Sequence, residues 1–160
     1  MKHALLVLAM IACAAPAGAL MLEVPFDRLV STSDAVVRAK VTDLESSWTS
    51  DHGTIVTDVT LVIEESWVGT MQAGAPLRLQ VEGGEVGDIG VRVEHQPTFR
   101  LGEESVLFLA GTPSARLRVN ALEQGKFTIV GDQTVGSGAR VIPLSLLHAR
   151  VNALRPGRVR

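Results

Sequence analysis

Ala35-Val36-Val37-Arg38-Ala39-Lys40-Val41-Thr42 sets small or apolar residues at its odd positions and mostly charged or hydroxyl residues at its even ones. A period of two is the signature of a strand with one buried face and one wet face. Within Asp34 to Gly69 this run continues to Trp48, turns at Ser50-Asp51-His52-Gly53 and returns as a second run from Thr54 to Trp67. At Asp43-Leu44 the parity switches, which a single inserted residue explains, so a β-bulge is expected there. The return run places Ile55, Val59, Leu61 and Ile63 on one face and Asp58, Thr60 and Glu64 on the other, blurred by Val56 and Val62. Each strand would have about fourteen residues, where five or six are usual. Strands of that length coil to keep one face buried, and closure into a barrel removes exposed edges.

The 160 residues suffice for one core and one domain. Lys2, the apolar run Ala4 to Ala12 and the small-residue exit Ala17-Gly18-Ala19 have the layout of a secretory signal peptide. Residues 1–19 are therefore expected to be removed, residues 20–154 to form the domain, and the protein to be exported to the periplasm or the medium. The apolar run is far shorter than the roughly 20 residues that span a bilayer, and no later segment approaches that length. Cys13 is the single cysteine and lies in the leader. Lipid anchoring through it is the weaker reading, because Met10 stands where a lipidation box usually has leucine. A mature chain without Cys13 has no thiol for a disulfide, a thiolate metal site or a nucleophile.

A net charge of -2, more negative still without Lys2, gives no basic field for nucleic acid. Four phenylalanines, two tryptophans and no tyrosine are too few for a base-stacking surface.

Along the chain, Val24 to Val30 carries Pro25, an early acid and Phe26, Leu29 and Val30 at helical spacing, predicting a short helix that caps one end of the barrel. Leu77 to Glu82 alternates strictly and reads as a half-wet strand. Gly83 to Gly90 reads as a loop whose glycines take positive φ, leading into a short strand near Val91 to Glu94, with Ile89, Val91 and Val93 on one side. It lacks the Lys-Ser/Thr of a P-loop. Val106 to Ala110 is apolar on both faces and should be central and buried. Arg116 to Ala121 and Lys126 to Val130 are expected to pair as a hairpin, and Gly131 to Gly138 to be a surface connection. Pro143 to Leu154 puts Leu144, Leu147, Val151 and Leu154 on one helical face, with a frayed basic tail at 155–160.

The chemistry-bearing residues are sparse. Ser137 between glycines does not make a hydrolase elbow, and there is no zinc-binding His-Glu-x-x-His. His52, His95 and His148 lie in a turn, a bend and a helix with nothing in their spacing to unite them. Glu82, Glu85, Asp88 and Glu94 surround His95 in sequence without the regular spacing of a calcium loop. Glu64 and Glu65 point to opposite faces of a strand, so one must meet a base or a barrel end. No catalytic residue, metal or cofactor is expected.

Asp34 to Val41, the strand around Thr57-Asp58-Val59-Thr60 ending at Trp67-Val68-Gly69, and Phe99 to Glu103 leading into Val106 to Leu109 together resemble uncharacterised exported bacterial proteins. Those are similar to the netrin-like domains of tissue metalloproteinase inhibitors, which implies a five-stranded OB-type barrel with a C-terminal helix. The inhibitory N-terminal cysteine and the disulfides of those domains have no counterpart here, so no inhibitory residue carries over. The expected architecture is mainly β, a partly open five- to six-stranded OB-like barrel with a short N-terminal and a C-terminal helix. The expected function is non-catalytic binding of another protein, through Trp48, Gly84, Asp88, His95 and Phe99. Inhibition of an extracellular protease and small-ligand binding within the barrel are the alternatives.

Overall fold

The computed structural model describes residues 22–112 and 116–154. The expected signal peptide, Cys13 and the basic tail lie outside the described residues. The first helix, α1 (Phe26–Ser31), starts behind Pro25 and carries Asp27 in its first turn, where the helix dipole favours an acid. Thr32 closes it by donating its N–H to Arg28 O at 2.9 Å.

β1 (Ala35–Trp48) and β2 (Ile55–Val68) have 14 residues each and form the expected antiparallel hairpin. In the connecting turn, Asp51 Oδ1 accepts from Thr49 Oγ1 at 2.6 Å and from Gly53 N–H at 3.1 Å. The Thr49 hydroxyl, with the Gly53 amide second, holds the Asp51 carboxyl below its ordinary value. The register jumps from Val41↔Leu61 to Asp43↔Thr60, so the expected bulge falls on Thr42 and turns Leu44 inward opposite Val59. Two further jumps leave Glu64 and Trp67 as extra residues of β2. Released from the ladder, Glu64 meets Arg38 Nε at 3.0 Å, while Arg38 Nη2 donates to Glu104 Oε2 at 2.9 Å. The bond to Glu104, with both carboxylates adding to it, raises the Arg38 pKa against its partial burial. Glu65 instead accepts from Trp67 Nε1.

β3 (Pro76–Glu82) pairs with β2, and Gly83 N–H donates to Ile55 O just beyond its end. The segment read as a glycine loop is itself a small hairpin, β4 (Gly84–Val86) with β5 (Ile89–Val91), because Gly87 at φ +61 gives the tight turn that lets the flanking residues pair. β6 (Glu104–Ala110) pairs with β1, and all its residues from Ser105 to Ala110 are buried. β7 (Arg118–Val119) and β8 (Lys126–Val130) do not pair with each other as expected. Both pair with β6, one after the other, because a 3-10 turn at Leu122–Gly125 carries the chain along the same edge. The connection expected after Val130 forms another hairpin, with β9 (Gln133–Val135) against β8 and β10 (Val141–Pro143) against β9. The second helix, α2 (Leu144–Leu154), follows at once.

The main sheet runs β10-β9-β8-β6-β1-β2-β3, with β7 beside β6. Among the described residues it has eight strands, where a five- to six-stranded barrel is expected, and hydrogen bonds do not close it, because β3 pairs only with β2. Two clusters cover its faces. Ala35, Val37, Ala39, Val59, Leu61, Leu77, Leu79, Leu107, Leu109, Leu117 and Val119 fill the inner one. Val36, Val106, Phe108, Phe127, Leu29, Val30, Leu147 and Val151 fill the outer one. α1 thus packs with α2 on the outer face rather than capping an end. Alternation around β1 and β6 sends neighbours such as Leu107 and Phe108 into different clusters, and full burial of each such side chain contributes about 1.5–3 kcal/mol. On α2, Leu147 and Val151 are buried and Leu144 packs at the edge, while Leu154 stays 44% exposed. No helix among the described residues is long and apolar enough to cross a membrane.

Candidate interaction cleft

Where β3 ends, Gly83 (φ +97) and Gly84 (φ +142) turn the chain back over the far half of the β1–β2 hairpin. Thr57 Oγ1 donates to Gly83 O at 2.7 Å and lies 2.9 Å from Ser46 Oγ, so this hydroxyl pair anchors the turn from below. A Cβ on Gly84 would run into both hydroxyl oxygens. The close approach explains why β4 begins with glycine, beyond the φ requirement.

Between the β4–β5 hairpin and the loop at residues 92–99 opens a cleft of about 450 Å³. Leu44, Val59 and Val81 form its floor; Val91, Val93, Pro97 and Phe99 form its walls. Leu44, Val81 and Phe99 also pack against the inner core, so the cleft is the exposed end of that core. Lys126 Nζ sits 5.0 Å from the centre of the Phe99 ring. The same ammonium is 2.6 Å from Glu103 Oε1, and Ser105 Oγ donates to that oxygen at 3.0 Å. Phe99 is thereby fixed to the sheet by a nearly buried ion pair.

Gly84 and Phe99 are the two residues of the expected surface that line this cleft. Asp88 stands exposed in the hairpin turn, and Trp48 lies at the end of β1 with its ring 6.4 Å from that of His52. His95, at φ +63, points the other way: its Nδ1 is 3.2 Å from Glu123 Oε1, and Glu123 N–H donates to His95 O at 2.9 Å. Ser137 Oγ donates to the same Glu123 oxygen at 3.2 Å. This cluster borders a second cavity of about 490 Å³ over Phe26, Leu29 and Phe127. Its mouth carries an ion pair between Arg140 and Glu23. The remaining histidine, His148, stacks on Trp67 at 4.5 Å. Among the described residues no three His, Cys, Asp or Glu side chains come together to hold a metal ion.

Sequence reasoning missed the floor of the cleft, because Leu44, Val59 and Val81 read as ordinary inward strand residues. It also missed Glu123 and Ser137, which meet His95 only through the 3-10 turns that bear them. The exposed rim of the cleft carries Glu82 and Glu85 together with Arg92, and Asp88 and Glu94 are solvent-facing on the adjoining hairpin turn and loop. Comparison with protein-family models, curated proteins and solved structures finds no match to this chain.

Proposed function

We propose that this chain is an exported, non-catalytic interaction module with an OB-like architecture, holding another polypeptide at the cleft beside the β4–β5 hairpin. The OB-like reading is supported by the strand order β3-β2-β1-β6-β7 and by the shared interior of its two ends. Leu77 and Leu79 of β3 pack in one cluster with Leu117 and with Val119 of β7. A sheet that curls this far encloses a core while leaving a seam between β3 and β7. The observation that carries the binding role is the cleft itself, an open apolar groove at the end of that core in which Leu44, Val81 and Phe99 are half-buried above the buried Val59. An apolar side chain of a partner entering it would bury the surface of Val81 and Phe99, the kind of anchor that dominates protein interfaces. Export rests on the leader-like residues 1–19.

A photo-crosslinking residue at Thr98, exposed on the cleft wall, tests this reading against the same residue at Val141 on the far edge of the sheet. A discrete polypeptide adduct from Thr98 and not from Val141 is expected. Equal labelling from both positions overturns the proposal. A small-ligand reading, at a place other than the expected barrel interior, is favoured by the second cavity over the outer cluster, whose volume lies within the roughly 300–1,000 Å³ of known ligand sites and whose lining includes His95, Glu123, Gln124 and Ser137. A bound small molecule released on denaturation and seen by native mass spectrometry would bring that reading forward.

A further inference from the structure

The near-neutral net charge conceals a separation of charge. Residues 43–58 and 82–94 carry eight of the 17 acidic residues, and Arg92 is the one basic residue within them. The fold gathers both stretches at one end, since Gly84 rests on Ser46 and Thr57 and β3 closes against Val56 at Glu82. Two bases reach the cleft, Arg92 on its rim and Lys126 over Phe99, and the charge of Lys126 is matched by Glu103. Among the described residues, Glu82, Glu85, Asp88 and Glu94 form no ion pair. On the outer sheet face of the same end, Glu45 lies directly opposite Asp58, an arrangement of like charges that opposes folding.

Building on the interaction-module reading, we infer that the cleft takes a cationic polypeptide segment: a bulky apolar side chain on the floor, flanked by lysine or arginine residues that meet the acidic rim. Both halves of this chemistry are required. A small cation would leave the apolar floor wet, and an uncharged apolar group would leave the carboxylates unmatched. Nucleic acids and anionic membrane surfaces are repelled by the same field. Ile89, 53% exposed on the hairpin and on the same side of its strand as Val91, lengthens the apolar strip beside the cleft. An extended segment of several residues fits this shape better than a single side chain.

The test uses three short fluorescein-labelled peptides: a phenylalanine flanked by arginines, the same with glutamates for arginines, and the arginine peptide with alanine for phenylalanine. Each is titrated by fluorescence anisotropy against the protein, a Thr98→Trp variant that fills the cleft from an exposed position, and an E82Q/E85Q variant. Expected is binding of the arginine-phenylalanine peptide alone, weakened about tenfold or more by either variant and by added salt. If the glutamate peptide binds the cleft equally well and is lost with Thr98→Trp, the cationic preference is overturned while the interaction module stands. If the alanine peptide binds as well as the phenylalanine one and ignores Thr98→Trp, attraction is by charge alone and the cleft is not the site. If no peptide binds although Thr98 still crosslinks a polypeptide in the preceding experiment, the stated partner chemistry is overturned and the module again stands.

Discussion

Gly84 concentrates at one residue what the cleft requires of the sequence. Its φ of +142 is a conformation that side chains other than glycine rarely adopt, and the Ser46 and Thr57 hydroxyls fill the place a Cβ would take. Gly74 offers the matching control, with φ +82 and open space around its missing Cβ. Gly74→Ala should cost about 1–2 kcal/mol from backbone strain alone. Gly84→Ala should cost more, about 3 kcal/mol, because steric displacement of the hairpin adds to the strain. Urea denaturation of the two variants measures the difference. Equal losses would mean that the hairpin does not rest on the β1–β2 arm in solution. The same substitution should weaken partner binding by prying the hairpin off the floor of the cleft.

At the scale of elements, β6 distinguishes this sheet from a simple half-wet one. Phe108 faces the helices and Leu107 faces the inner core, both fully buried. Phe108→Ala should cost about 3–5 kcal/mol and Leu107→Ala about 2–5 kcal/mol, although adjacent strand residues normally differ sharply. On β3 the contrast is the usual one: Leu79→Ala should be as costly as Leu107→Ala, and Gln80→Ala, half-buried on the wet face and losing only its exposed hydrogen bond to Asp58, should cost about 1 kcal/mol or less. Similar losses at Gln80 and Leu79 would contradict the assigned faces. Those faces were legible in the sequence because alternation and two-sided burial leave direct signatures, and the parity switch at Leu44 located the bulge to within a residue or two. The pairing of β7 and β8 with β6 was not legible. Two short alternating runs separated by a turn fit a hairpin equally well, and the deciding 3-10 turn begins with Ala121 and Leu122 at positive φ, which their side chains do not advertise. The β9 and β10 strands escaped for a related reason, being short runs among glycines. Of the candidate surface, one glycine and one aromatic, Gly84 and Phe99, found the cleft, whereas His95 was drawn away by a carboxylate 28 positions along the chain.

For the whole molecule, the grouping of acids on one end has two consequences that one substitution separates. Repulsion among like charges is unfavourable to the folded chain, and the Glu45–Asp58 pair sets two carboxylates directly across a ladder. Gln80 Nε2 donates to Asp58 Oδ1 at 2.9 Å, which meets a hydrogen-bonding need of that carboxylate without neutralising it. Glu45→Lys should therefore replace a repulsion with an attraction and raise stability by about 0.2–1 kcal/mol, most clearly at low salt. If the acidic end exists to receive a cationic segment, the same change should reduce the rate of association with the arginine-phenylalanine peptide while leaving the dissociation rate nearly untouched, because Glu45 lies on the outer sheet face and not in the cleft. Stopped-flow anisotropy resolves the two rates. A variant that is more stable yet captures its partner more slowly would explain why the repulsion is kept. A gain in stability with no kinetic effect would confine the role of the acids to those on the cleft rim.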